Sequence, residues 1–314
     1  MSLIEKAVQR LDALKQASGE SAGATEPVRE APLPVSGEAP PHAAQRSSSS
    51  VPAVDPIPMP NPAVSREIRI DLARLGQLGM VTPDVPRSAV AEEFRVIKRP
   101  LLRNAVATGA AAIKNGSLIM VSSAMPGEGK SFTAINLAIS MAMELDYTVL
   151  LVDADVSRPS VLNRLGLPPE RGLMDVLAGD VSELGDVLLR TNIEKLSILP
   201  AGMPHPRATE MLASESMNRL LEQIANRYHD RIIVFDSPPL LVTTEARVLA
   251  THMGQIVMVV EAERTTHSTV KQALATIESC PVKLMVLNKS RAAGAGSYYG
   301  YGYGYGSEPR SEAA

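Results

Sequence analysis

Eight consecutive residues, Ala124-Met-Pro-Gly127-Glu-Gly129-Lys130-Ser131, join two glycines to a lysine and a hydroxyl in that order. Glycines let backbone N–H groups turn inward around phosphates, and a helix N-terminus behind them adds positive partial charge. Lys130 would reach the β- and γ-phosphates of a nucleoside triphosphate, and the Ser131 hydroxyl would bind Mg²⁺. The pattern G-x-x-x-x-G-K-[ST] is departed from only at its first position, where Ala124 stands, a small residue in place of a smaller one. Met125, Pro126, Gly127, Glu128, Gly129, Lys130, Ser131 and Phe132 are therefore the candidate nucleotide contacts. Gly-Lys-Ser alone occurs by chance in many loops; a strand before it, a helix after it and acidic partners downstream carry the nucleotide reading.

Those partners lie on two later segments, one ending Asp153-Ala-Asp155-Val-Ser-Arg158-Pro159 and the other Asp236-Ser-Pro-Pro239. In an open α/β sheet, ligands sit at the carboxyl ends of the strands, so all three aspartates should converge on the phosphates held by Lys130. One aspartate at a strand end could merely cap the next helix. Three beside an anionic ligand would repel it and each other unless Mg²⁺ and Lys130 neutralise them. Ser131, Asp155 and Asp236 are the candidate Mg²⁺ ligands, held directly or through water. Lys130, Asp153, Asp155 and Asp236 form the candidate catalytic set.

Elements must bring these groups together. Apolar, often β-branched runs recur at Ser117, Thr148, Leu196, Arg231, Gln255 and Lys283. Each is nearly continuous, as in strands buried on both faces of a parallel sheet. Helical stretches separate them at 131–144, 215–227, 244–251 and 266–279. That alternation predicts an α/β, doubly wound, mostly parallel sheet over residues 88–292.

The ends of the 314-residue chain differ in composition. Of 24 prolines, 10 lie between Pro27 and Pro62, which predicts a linker over 18–87, mostly without regular structure, apart from a short helix within 66–80. Before it, Ile4, Ala7, Leu11 and Leu14 share one stripe of a helix over 1–17, too short to be stable alone. It either docks on its own domain or binds a partner. After Asn288 the chain becomes Gly-, Ala- and then Tyr/Gly-rich, with no periodicity to bury a face, and residues 293–314 are expected as a mobile tail. A net charge of −3 gives no reason to expect nucleic-acid binding. The single cysteine, Cys280, excludes a disulfide framework. Glu5 and Lys6 interrupt any signal-peptide core, and no run approaches the roughly 18 apolar residues of a membrane span. A cytoplasmic protein is expected.

The phosphate loop, the D-x-D strand followed by Arg158-Pro159, and the strand ending in Asp236 resemble the bacterial tyrosine kinases, P-loop autokinases of polysaccharide assembly related in structure to MinD-type ATPases. The resemblance spans about residues 88–306 and includes a tyrosine-rich tail. It implies an ATP- and Mg²⁺-dependent kinase with Asp153 as the base for the tyrosine proton. Tyr298, Tyr299, Tyr301, Tyr303 and Tyr305 become the autophosphorylation sites. It also implies that Asn288 sits where related ATPases contact the base, although a cap or turn role accounts for that residue equally well. The family's E-x-x-R-x-x-R ring-forming helix is matched by Glu92, Arg95 and Lys98, with lysine in the last place. On physics alone these are three charges along one helix face with an internal ion pair.

Two departures stand out. In the family's D-x-D-x-R strand a basic residue follows the variable position, whereas Ser157 stands there in this chain, with Arg158 one place later. Met125 stands where MinD and ParA relatives carry a signature lysine, which counts against the rival reading of a spatial ATPase acting without phosphotransfer. A catalytically silent scaffold is the other rival, disfavoured by the intact acidic set. The implied partners are further copies of this chain in a ring-shaped assembly, a membrane chain-length-determinant (polysaccharide co-polymerase) protein as activator, and a protein-tyrosine phosphatase as antagonist. Recruitment to the inner face of the plasma membrane by that activator follows from the same resemblance.

Overall fold

The computed structural model describes residues 66–227 and 231–290. The helix expected over 1–17, the linker up to residue 65 and the tyrosine cluster lie outside the described residues.

Eight strands form one sheet: β1 (Arg66–Ile68), β2 (Leu118–Ser123), β3 (Thr148–Asp153), β4 (Leu189–Thr191), β5 (Leu196–Leu199), β6 (Arg231–Asp236), β7 (Gln255–Glu261) and β8 (Val282–Asn288). Among the described residues nine α-helices connect them: α1 (Leu72–Gln77), α2 (Ala89–Ala105), α3 (Lys130–Ala142), α4 (Val161–Leu165), α5 (Leu173–Ala178), α6 (Ala208–Leu212), α7 (Glu215–Arg227), α8 (Thr244–Ala250) and α9 (His267–Ala275). The order across the sheet is β1-β4-β5-β3-β6-β2-β7-β8, parallel throughout except for β4 against β5. The α/β doubly wound expectation holds, and all six anticipated strands form.

The continuous apolar runs are explained by burial on two sides. Ile119, Val121, Val149 and Leu151 face one core layer with α2 and α3, while Leu118, Met120, Leu150 and Val152 face the other with α7, α8 and α9. At the edge, β8 departs from the continuous pattern: its residues alternate between half-buried and exposed, with Met285 and Leu287 open.

The folded unit begins well before residue 88, which corrects the boundary expected for the linker. β1 pairs with β4, and Ile70, Leu75, Met80 and Val81 are buried. Asn192 accepts from the Ile70 amide at 2.7 Å and donates to its carbonyl at 3.1 Å, and Asn136 accepts from Val81 at 2.6 Å. The apolar positions here follow neither a two-residue nor a 3.6-residue period, so periodicity is silent about them. The helix expected within 66–80 is confined to α1.

Candidate nucleotide site

β2 lies between β6 and β7, and β3 lies on the far side of β6. The chain thus winds outward in both directions from the β2–β6 region, and a crevice opens at the carboxyl ends of these strands. Asp153 and Asp236 are register partners at the last residues of β3 and β6. Two of the three aspartates are thus brought side by side.

The loop leaving β2 turns on Gly127 (φ 88°) and Gly129 (φ 103°), both in the left-handed region that favours glycine. Ala124 is fully buried and needs no positive φ, which is why alanine serves at the first position of the motif. Gly129 caps α3 without a side chain, leaving the first amides of that helix for an external acceptor. Among the loop residues, Pro126, Gly127, Gly129, Lys130, Ser131 and Phe132 line a cavity of about 790 Å³. Met125 and Glu128 do not. Glu128 is buried, and its carboxylate accepts from the Met125 amide at 2.7 Å and from the Thr265 hydroxyl.

Lys130 donates to Asp155 Oδ2 at 2.6 Å and to Ser131 Oγ at 3.3 Å, and its Nζ stands 3.7 Å from Asp236 Oδ1. The two D-x-D aspartates have different surroundings. Asp155 lines the cavity. Asp153 is buried beneath it, accepting from the amides of Ser160 and Val161 at 3.0 Å and of Asp155 at 3.3 Å. Burial, then the neighbouring Asp236 charge, pushes the Asp153 carboxyl up to about 7, against the pull of those amides. Asp236 is fully buried, and burial raises it to about 6, with the Lys130 charge opposing. Neither Asp236 oxygen has a hydrogen-bond donor within bonding distance.

An orphaned, buried carboxylate beside a hydroxyl and a lysine suits a divalent cation. Among the described residues no group of three or more His, Cys, Asp or Glu side chains could hold a metal by itself. Mg²⁺ fits such a place, since it accepts one or two carboxylates and takes its other oxygens from phosphates and water. Ser131, Asp155 and Asp236 are the residues that would hold it.

Ser160 and Arg164 join the site without any spacing in the sequence that marks them. Ser160 Oγ donates to Ser131 Oγ at 2.9 Å, and Arg158 and Arg164 line the cavity wall. The lining also includes Pro239, Val242, Asn288 and Lys289. Asn288 is at the cavity as expected, but its amide is spent on the Glu128 carbonyl at 2.9 Å.

The charged helix α2 corrects one expectation. Glu92 is exposed, and Arg95, partly exposed, pairs with it and donates to the Pro86 carbonyl at 2.8 Å. Lys98 is buried, donating to the Ser140 carbonyl at 2.5 Å and pairing with Glu144 at 2.7 Å. Each three-residue step falls about 60° short of a full turn, so the third member lies about 120° around the helix from the first. Lys98 therefore faces α3, not the face shared by Glu92 and Arg95.

A family model described as an AAA domain matches residues 116–289. The chain is 30% identical over 208 residues to the putative tyrosine-protein kinase CapB of Staphylococcus aureus, covering 66% of this chain and 87% of that protein. It is 32% identical over 219 residues to the succinoglycan biosynthesis transport protein ExoP of Rhizobium meliloti, covering 68% of this chain and 27% of the much longer relative. Among solved structures, the kinase domain of the Escherichia coli tyrosine kinase ETK superposes with a TM-score of 0.51 at 30% identity, covering 60% of this chain and 72% of that one.

Proposed function

The chain belongs to the bacterial tyrosine kinases, and from that premise we propose that it is an ATP-dependent autokinase that phosphorylates its own Tyr298, Tyr299, Tyr301, Tyr303 and Tyr305 and acts in exopolysaccharide synthesis or export. The observation that carries this reading is the Lys130 ammonium at the start of α3. It is held between Asp155 and Asp236 in a cavity large enough for a nucleotide.

Phosphoryl transfer asks mainly for positioning and charge neutralisation. Lys130 and the loop amides bind the phosphates. Mg²⁺, when bound by Ser131, Asp155 and Asp236, neutralises phosphate charge. Asp153 takes the tyrosine proton: burial and the Asp236 charge raise its carboxyl above the ordinary carboxylate range, which makes it a better proton acceptor. The amides of Ser160 and Val161 both bond its Oδ2, so Oδ1, which accepts only from the Asp155 amide at 3.3 Å, is the oxygen left for the proton. Glu92, exposed on α2, and Arg95, partly exposed, serve contacts between copies, while Lys98 holds that helix in place.

No helix among the described residues is long and apolar enough to cross a membrane. We assign the kinase to the cytoplasm, activated by a membrane co-polymerase and opposed by a tyrosine phosphatase, in keeping with the likeness to a succinoglycan transport protein.

Deleting residues 298–305 should remove most phosphotyrosine formed with Mg-ATP while leaving nucleotide binding unchanged. Intact-mass spectrometry and titration with Mg-ADP are the measurements. Full phosphorylation of the deleted protein would show that the tail is not the substrate.

A further inference from the structure

The outer side of the phosphate loop is gripped by a part of the chain distant in sequence. Lys289 Nζ donates to the Gly127 carbonyl at 2.7 Å, and Asn288 Nδ2 donates to the Glu128 carbonyl at 2.9 Å. Both donors stand at the end of β8, whose pairing with β7 runs to its last residue, Asn288 against Glu261. Lys289 adopts a left-handed backbone (φ 58°), uncommon for a residue with a side chain and unfavourable by itself. Glu261 Oε1, 3.2 Å from Lys289 Nζ, steadies the ammonium. A Cβ on Gly129 would collide with Asn288 Nδ2, so glycine is needed there for close approach as well as for its φ. The Thr265 hydroxyl, from the turn between β7 and α9, adds a further tie through Glu128.

The peptide unit is planar and trans, so a carbonyl and the N–H of the next residue point in opposite directions. Fixing the carbonyls of Gly127 and Glu128 towards Lys289 and Asn288 fixes the N–H groups of Glu128 and Gly129 the other way. These are amides a phosphate loop uses on its ligand. We propose that Lys289 is a positioning residue. With Asn288, it latches the phosphate loop in its amide-presenting conformation before nucleotide arrives, so that the loop need not be ordered by the ligand. Nucleotide affinity then depends on a lysine that need not touch the nucleotide.

This inference rests on the nucleotide reading of the cavity, and the test separates the two. Three versions of the 314-residue chain are compared: the unchanged chain, Lys289→Met and Lys289→Arg. Amide hydrogen exchange over residues 124–132, measured without nucleotide, should quicken in Lys289→Met and return towards the original rate in Lys289→Arg. Mg-ADP and Mg-ATP affinities should both weaken about tenfold in Lys289→Met, the scale of one lost charged hydrogen bond. The effect on KM for ATP should exceed the effect on kcat, and Lys289→Arg should recover most of the affinity. Lys289 is half exposed, so a fold check by circular dichroism should pass.

Unaltered exchange in Lys289→Met overturns the latch, whatever the nucleotide results. A loss confined to kcat, or to ATP with ADP binding intact, also overturns it, because it would place Lys289 on the transferred phosphoryl group. If the unchanged chain binds neither nucleotide, the nucleotide reading fails, and the exchange comparison still decides whether Lys289 orders the loop.

Discussion

Helix α3 carries an ionic cluster at each terminus, and the two clusters are built to opposite rules. At the C-terminal end, Lys98 from α2 meets the Ser140 carbonyl and the Glu144 carboxylate, and Arg99 adds a second bond to Glu144 at 3.1 Å. Lys195 closes the same end by donating to the carbonyls of Glu144 and Leu145. Cations at a helix C-terminus complement its dipole, and every group named has a partner. At the N-terminal end, Lys130 is shared between two carboxylates, Asp236 has no hydrogen-bond donor, and Asp153 is held near neutrality. A satisfied cluster stabilises a fold. An incompletely satisfied one at a cavity floor is a place where a ligand completes the bonding.

Mutation should separate them. Lys130→Met should lower phosphorylation by about a thousandfold or more, since it removes the cation facing the β- and γ-phosphates. Asp155 and Asp236 would then lack their lysine, but the core layers are untouched and the fold should persist. Phosphotyrosine formation and circular dichroism together make the check. Undiminished phosphorylation in a folded variant would dispose of the catalytic assignment.

Lys98→Met should do the reverse, costing about 2–3 kcal/mol of stability while leaving Mg-ADP binding in place. Burial raises the Glu144 carboxyl, but the Lys98 hydrogen bond and charge, with help from Arg99, outweigh that and hold it below its ordinary value. Its share of stability is therefore present above the unfolded pKa and lost as pH falls through the lower folded value. Chemical denaturation of the single variant and of Lys98→Met with Glu144→Gln measures the coupling; the second change should recover part of the loss. Arg95→Ala, on a partly exposed pair of the same helix, should cost only a few tenths of a kcal/mol. Equal losses at 95 and 98 would erase the distinction between the two faces.

Much of the active end was legible because its chemistry is local. Gly127, Gly129, Lys130 and Ser131 must be adjacent to surround a phosphate, and two-sided burial writes β2, β3, β6 and β7 as unbroken apolar runs. What escaped depends on distant pairings. Residues 66–87 are tied down through Asn136 and Asn192, 55 and 122 positions away, at irregularly spaced apolar residues. Lys289 reaches the phosphate loop across 162 positions and by a backbone conformation that its residue type does not advertise. Lys98 was misplaced by counting in threes on a helix that turns every 3.6 residues.

One further change goes against the usual direction of mutation. Asp236→Asn should abolish phosphorylation yet raise thermal stability above neutral pH. The folded carboxyl sits near 6, above the roughly 4 of an unfolded chain. The unfolded state therefore loses its proton first, and stability declines as pH rises from about 4 to about 6, then stays reduced above that. Asparagine cannot ionise, so it removes that penalty, at the cost of the attraction between Asp236 and Lys130. Lys130 keeps Asp155 at 2.6 Å, so it is not stranded. The net gain should be about 1 kcal/mol, equivalent to a few degrees in Tm, and should be present at pH 8 and absent near pH 4. The extra stability that Mg-ADP confers on the unchanged chain should shrink in the variant, because a candidate magnesium ligand has gone. Melting curves at both pH values, with and without Mg-ADP, contain the whole test. A variant less stable at pH 8 than at pH 4, relative to the unchanged chain, would mean that Asp236 is as well satisfied as Glu144, and that the two ends of α3 obey one rule.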